Sequence, residues 1–197
     1  MTDLWILRHG PTDWNESGRI QGHTDRPLTA EARAWIPSWR LPPEAEGLPW
    51  VSSPLIRALE TARLMGADPV LEPRLAEAHW GDWQGRTLAE LREELGDGMA
   101  ANEARGLDFR PPGGESPRDM QARIRPWLAE LARDRRSVVA ASHRGLIRAL
   151  MALALGWDML GKPPVKLNRR DAIHHFRLAA DGHPTVVRMN IPLTDDP

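Results

Sequence analysis

Short apolar runs alternate along this chain with longer stretches in which apolar residues recur at helical spacing. The first run, Leu4-Trp5-Ile6-Leu7, is too short for a helix and reads as a buried strand. It stops at Arg8-His9-Gly10, and Pro11, which has no N–H to give a ladder, ends it. Further strands are predicted at Trp50-Val51-Ser52-Ser53, 69–73, 137–142, 172–178 and 185–189. Leu28 to Ile36 reads as a helix, with Thr29 as its cap and Pro37 as its limit. Leu55, Leu59, Ala62 and Met65 share one face of a second helix, with Ser53 as predicted cap and Pro54 as first helical residue. Thr87 opens a third, to about Leu95, and a weaker one spans 99–105. The clearest helix begins at Ser116-Pro117-Arg118-Asp119, which offers a serine cap, a proline at the first position and an acid in the first turn. Met120, Ile124, Trp127, Leu128 and Leu131 form its apolar face, and Pro126 is a predicted kink. Leu146 to Leu155 is a last, mostly apolar helix. Residues 12–27, 74–86 and 110–115, and the connector 156–171, read as loops. This alternation predicts an α/β fold: a three-layer sandwich with a mainly parallel central sheet, helices on both faces and an antiparallel strand late in the chain.

Composition narrows the picture. The 197 residues suit a single domain, and 41% apolar with 27% charged is an ordinary globular mix. A net charge of −1 predicts no broad field for nucleic acid or membrane, so any positive site is local. Lys162 and Lys166 are the only lysines, and the other cations are arginines, whose fork suits phosphate or carboxylate. The absence of cysteine excludes disulfides, thiolate metal sites and cysteine nucleophiles. With no signal-peptide pattern and no apolar run long enough to span a membrane, the expected location is the cytoplasm.

Two strand ends share one design. Leu4 to Gly10 and Val138 to Gly145 each place a histidine, His9 and His143, where a buried strand stops. In open α/β sheets ligands bind at that carboxyl edge, and a parallel sheet can bring two such ends together. Arg57 follows another strand end in the first turn of a helix, where anions are attracted. With Arg8 it would make a pocket for a dianion, most simply a phosphoryl group; the lesser alternative on spacing alone is a surface ion pair of Arg57 with Glu60. Glu77 lies in an irregular stretch before Gly81 and Gly85, where it is either a general acid or a solvated loop residue. His174 and His175 point to opposite faces of a strand, and His23, His79 and His183 lack metal-ligand spacing. Gly156 to Lys162 has the spacing of a phosphate-binding Walker loop, but Pro163 replaces the required hydroxyl residue and a helix, not a strand, precedes it.

Six motifs, in order, resemble those of the histidine phosphatase superfamily, which includes cofactor-dependent phosphoglycerate mutase. They are Leu7-Arg8-His9-Gly10 with Thr12-x-Trp14-Asn15, Arg19-Ile20-Gln21-Gly22 with Asp25-x-Pro27-Leu28-Thr29, Ser52-Ser53-Pro54-Leu55-x-Arg57-Ala58-x-x-Thr61-Ala62, Leu75-x-Glu77-x-x-x-Gly81-x-Trp83-x-Gly85, Pro112-Gly113-Gly114-Glu115-Ser116, and Ser142-His143-x-Gly145-x-x-Arg148. The resemblance implies that His9 is the nucleophile and becomes phosphohistidine. It implies that Arg8, Arg57 and His143 bind the phosphoryl oxygens, that Glu77 donates a proton to the leaving oxygen, and that Asn15 adds a phosphoryl contact. Gln21 and Gly22 fall in a substrate-binding motif. No metal and no cofactor is implied, and the partner is a small phosphorylated metabolite. Two departures stand out: Arg144 replaces the glycine common after the second histidine, as a phosphate contact or an outward-pointing side chain, and Gln84 replaces a glutamate.

Family mutases carry a longer insertion before Gly-Gly-Glu-Ser and a longer tail over the site. Here about 35 residues separate Glu77 from Gly113, and the chain ends soon after its last predicted strand. An open site favours water as acceptor, so the expectation is a phosphatase; a phosphoglycerate mutase and a non-catalytic phospho-ligand binder are the alternatives. Residues 14–25, 77–83 and 113–116 are expected to line the leaving-group side; Trp14, Trp80 and Trp83 suggest an apolar or ring-bearing substrate portion, with core packing the expected use of at least one of them.

Overall fold

Leu4 and Ile6 alternate with Trp5 and Leu7 along the first strand, and successive strand residues point to opposite faces. Both faces are therefore apolar, and both need cover. The computed structural model describes residues 1–167 and 171–194; residues 168–170, within the predicted connector, and 195–197 lie outside the described residues. The strands are β1 (Thr2–Arg8), β2 (Trp50–Ser52), β3 (Val70–Leu71), β4 (Val138–Ser142), β5 (Ala172–Leu178) and β6 (Pro184–Pro192). They form one sheet in the order β3-β2-β4-β1-β5-β6. The first four are mutually parallel where they pair, and β5 and β6 are antiparallel. The sheet is thus mainly parallel, with two late antiparallel strands.

The helices are α1 (Asp13–Glu16), α2 (Ala30–Trp35), α3 (Ile56–Leu64), α4 (Leu88–Leu95), α5 (Asp97–Glu103), α6 (Pro117–Arg133) and α7 (Arg144–Leu155). On one face Leu4, Ile6, Val138 and Ala140 pack against Ile124, Trp127 and Leu128 of α6 and Ile147 and Leu150 of α7. On the other, Trp5, Leu7, Val139 and Ala141 meet Ala32 of α2 and Ala58 and Ala62 of α3. A small third core of Trp83, Leu91 and Met99 joins α4 and α5 to the loop before them, with Ile20 and Phe109 packed against it. No described helix is long and apolar enough to cross a membrane.

Local signals hold where they are self-contained. Thr29, Thr87 and Ser116 each cap a helix by accepting a backbone N–H, and Thr87 and Ser116 do so in full capping boxes. The predicted cap of α3 does not form. That helix starts at Ile56 with Leu55 as N-cap, so Pro54 lies outside it. The Ser53 hydroxyl instead sits 2.8 Å from His143 Nε2, and the Asp25 carboxylate accepts the Ile56 N–H at 2.9 Å from 31 positions away. The predicted loop at 12–27 contains α1, capped reciprocally by Thr12 and Asn15. The last predicted helix begins at Arg144, with His143 as N-cap, rather than at Leu146. α6 runs from Pro117 to Arg133 through Pro126.

His174 lies buried in β5, where its Nδ1 accepts the Asn190 N–H at 3.1 Å, and burial pushes its pKa down to about 4. Unfolded, it takes up a proton below its ordinary value of 6.5, whereas the folded chain keeps it neutral. Its contribution to stability is therefore complete above pH 6.5 and is lost as the pH falls toward 4, by about 1 kcal/mol per pH unit. Denaturant unfolding at pH 7 and pH 5 is expected to show a shallower pH dependence for His174→Gln than for the parent chain.

Candidate active site

β1 and β4 pair in parallel with Arg8 opposite Ser142, so the next residues, His9 and His143, leave the same sheet edge side by side. Their ring centroids are 5.2 Å apart and tilted by 56°. The His9 N–H continues the ladder to Ser142 O at 2.9 Å. His9 Nδ1 lies 2.6 Å from Gly10 O. A carbonyl oxygen only accepts, so Nδ1 carries the proton and Nε2 keeps a lone pair. His9 is 4% exposed, and burial, then the charges of Arg8 and Arg57, hold its pKa well below 6.5. The ring is thus neutral at neutral pH. The Gly10 N–H donates to Thr61 Oγ1 at 2.9 Å and the Thr61 hydroxyl to Arg57 O at 2.7 Å, tying the strand end to α3.

Arg57 is 1% exposed. It donates to Gly22 O at 2.7 Å and Thr24 O at 3.2 Å, while the Asp25 carboxylate stands 3.9 Å away. Its Nε is buried with no hydrogen-bond partner among the described residues. The alternative surface pair with Glu60 does not form, because Glu60 takes Arg33 and the Leu28 N–H. His143 is fully buried, with Nε2 on Ser53 and Nδ1 without a hydrogen-bond partner among the described residues. Burial, then the charges of Arg57, His9, Arg8 and Arg123, push its pKa well below 6.5.

Glu77 is held by two backbone donors, Ala78 N–H to Oε1 and Gly145 N–H to Oε2, both at 3.0 Å. A Cβ on residue 145 would collide with the Glu77 carboxylate, so the glycine makes room for it. The loop carrying Glu77 hangs on Arg123 of α6, which donates to Ala76 O at 2.7 Å, Glu77 O at 3.1 Å and Arg74 O. Arg123 also pairs with Glu115 at 3.0 Å. The sequence offered no signal for Arg123, whose carbonyl partners on the Glu77 loop lie almost 50 positions away.

Arg8, His9, Asn15, Gln21, Gly22, Arg57, Glu77 and Arg144 line one cavity of about 600 Å³, so all the residues singled out for the pocket converge on it or, for His143, lie buried beside His9. Asn15 Oδ1 is used by Thr12 in the cap of α1, which leaves the amide nitrogen outside that cap. Gln21 Oε1 is buried without a hydrogen-bond partner among the described residues. Of the three tryptophans expected at the leaving-group side, only Trp80 lines the cavity. Trp83 is buried in the third core, and Trp14 lies under the Arg26 guanidinium, 5.4 Å from its ring centroid. Gly113 and Gly114 pack on Gly81 instead of lining it. Ile20 lines the cavity as expected for 14–25; Leu88, Phe109, Met159 and Leu160 add apolar lining that was not anticipated, and Arg148 joins them from α7. Among the described residues no three histidine or acidic side chains are grouped to hold a metal ion.

Comparison with known proteins matches the histidine phosphatase superfamily (branch 1) over residues 4–192. The glucosyl-3-phosphoglycerate phosphatase of Mycobacterium tuberculosis is 37% identical over 179 residues, covering 80% of this chain and 79% of its own. A 2,3-bisphosphoglycerate-dependent phosphoglycerate mutase of Methylobacterium radiotolerans is 33% identical, over 90% of both chains. The solved structure of mycobacterial glucosyl-3-phosphoglycerate phosphatase in complex with VO3 superposes with a TM-score of 0.78 at 30% identity, covering 99% of this chain and 100% of that one. Motif order, sheet topology and full-length similarity agree, and this chain belongs to the histidine phosphatase superfamily.

Proposed function

We propose that the chain hydrolyses a small phosphomonoester through a phosphohistidine formed on His9. The observation that carries this reading is the Nδ1 bond to Gly10 O, which leaves a neutral ring with its Nε2 lone pair available. In the first step Nε2 attacks phosphorus and the bond to the leaving oxygen breaks. Glu77 delivers a proton to that oxygen. In the second step the Glu77 carboxylate takes a proton from water, the water oxygen attacks phosphorus, and the P–N bond breaks to release phosphate. Arg8, Arg57 and His143 hold the phosphoryl oxygens, and Asn15 adds its amide. Donors fixed in a buried site supply most of the rate enhancement, because they need not reorient as charge develops.

The M. tuberculosis relative makes a phosphoglycerate bearing a sugar the first substrate to try. The match over residues 4–192 supports reading the whole chain as one catalytic domain. Water is the favoured acceptor because only the short helices α4 and α5 stand between the Glu77 and Gly113 motifs. The similarity to a mutase makes a sugar acid the competing acceptor.

Three outcomes test this reading. Phosphate release from p-nitrophenyl phosphate is expected to survive a chelator and to fall on the order of a thousandfold or more in His9→Ala. No release from it or from a panel of phosphorylated metabolites, with isomerisation of phosphoglycerate in the presence of its bisphosphate, would make the chain a mutase. Gly145→Ala is expected to displace the Glu77 carboxylate and lower kcat about a hundredfold with a much smaller change in KM; unchanged kcat would remove Glu77 from the proton transfer. The active form of His9 is neutral and its pKa is depressed, so kcat/KM persists as the pH falls below 6.5. Arg57→Gln removes a positive neighbour and is expected to move that acid limb upward, which a pH profile of parent and variant measures.

A further inference from the structure

We infer that Arg123, which lies outside the cavity, is a positioning residue for the proton transfer at Glu77, a role that rests on the phosphatase reading. Past a single turn at Pro73–Leu75 the chain to His79 is extended or irregular, so neither a helix nor a strand ladder holds Glu77. The carbonyls of such a stretch must find donors elsewhere. One guanidinium supplies them. Arg123 Nη1 donates to Arg74 O, and Nη2 donates to Ala76 O at 2.7 Å and to Glu77 O at 3.1 Å. His23 Nε2 approaches the Glu77 oxygen from the other side, at 2.8 Å. A planar fork spreads its donors over several acceptors in fixed directions, which a lysine ammonium does not.

Glu115 completes the clamp. Its Oε1 accepts from Arg123 Nε at 3.0 Å, and its Oε2 accepts the His79 N–H at 2.9 Å. The Glu115 N–H donates in return to His79 O at 2.8 Å. Arg123 thus fixes the chain as far as Glu77, and Glu115, oriented by Arg123, fixes it again at His79. Between these two anchors the Glu77 carboxylate meets the Ala78 and Gly145 N–H groups, both at 3.0 Å. Loss of the fork removes the Arg123 donors from three carbonyls and releases Glu115 at once. The carboxylate then shifts relative to α7. A misplacement of about 1 Å costs a proton transfer on the order of a hundredfold, and it costs binding of the phosphoryl group far less.

The test compares p-nitrophenyl phosphate with phenyl phosphate, two substrates of nearly one shape. p-Nitrophenolate leaves readily without a proton, whereas phenol ionises only at about pH 10, as tyrosine does, and needs one. kcat/KM covers the steps up to loss of the leaving group, so the ratio of the two values reads the proton that Glu77 delivers. Glu77→Gln sets the full effect and is expected to widen the ratio on the order of a hundredfold. Arg123→Gln is expected to widen it in the same direction by at least about fivefold. Arg123→Lys keeps the charge without the fork and is expected to recover only part of that change. A merely structural role would lower both kcat/KM values alike and leave the parent ratio, which would overturn the proposal. Full return of the parent ratio in Arg123→Lys would assign the effect to charge and overturn it too. Should Arg123→Gln not fold, Arg123→Lys decides alone: a ratio wider than the parent's supports the positioning role, and the parent's ratio overturns it. An unchanged ratio in Glu77→Gln would remove Glu77 from the proton transfer, and Arg123 with it, while phosphate release stood. Absence of release from p-nitrophenyl phosphate by the parent chain would instead overturn the phosphatase reading.

Discussion

Parallel pairing of β1 with β4, with Arg8 opposite Ser142, obliges His9 and His143 to leave the sheet at the same height and side by side. β2 pairs with β4 on its other side, so Ser53 emerges beside them and reaches His143. Three strand ends separated by up to 134 positions thus deliver their polar residues to one edge. The pairing is itself enforced by burial on both faces, since a one-residue slip would turn Leu4 and Ile6 to the side built for Trp5 and Leu7. The hydrophobic layers therefore hold the catalytic geometry as well as the fold.

The electrostatics of the site follow from what its cations are given as partners. Arg57 is buried against the carbonyls of Gly22 and Thr24 and keeps Asp25 at 3.9 Å. Neutral acceptors satisfy part of the guanidinium without cancelling its charge. The same charge, with burial, keeps both histidines unprotonated. A buried cation without a close carboxylate is expensive, and a phosphoryl dianion would offset that cost. Such a dianion is what the Arg57 side of the cavity is built to attract.

Glu77 shows how far such a site extends into the scaffold. Its carboxylate rests on the amino end of α7, its own carbonyl on Arg123 of α6, and its neighbouring carbonyls on the same guanidinium. The two helices that cover one face of the sheet therefore also position the Glu77 carboxylate, and Arg123 links that loop to Glu115 ahead of α6. Packing of α6 against α7 and placement of the carboxylate are a single structural fact.

Much of this was legible in the chain. The runs at Leu4 and Val138, the caps at Thr29, Thr87 and Ser116, and the histidines at two strand ends depend only on neighbours within a few positions, so local chemistry determined them. Motif order carried the convergence of Arg8, His9, Arg57, Glu77 and His143, which six separate segments could not have announced by spacing alone. Tertiary structure decided the rest. Ser53 had two uses open to it, as a helix cap or as a partner for a histidine 90 positions away, and only the sheet order made the second available. Asp25 then supplied the N–H acceptor that α3 lacked. Trp83 turned into the third core, while Trp80 packs against that core and also reaches the cavity, a division made by contacts with Leu91, Met99 and Phe109 and not by local sequence. The sequence by itself determined which residues could do the chemistry, through short-range propensity and polarity. Which of them face one another depended on contacts made across the whole chain, where backbone carbonyls and distant side chains compete for the same donors.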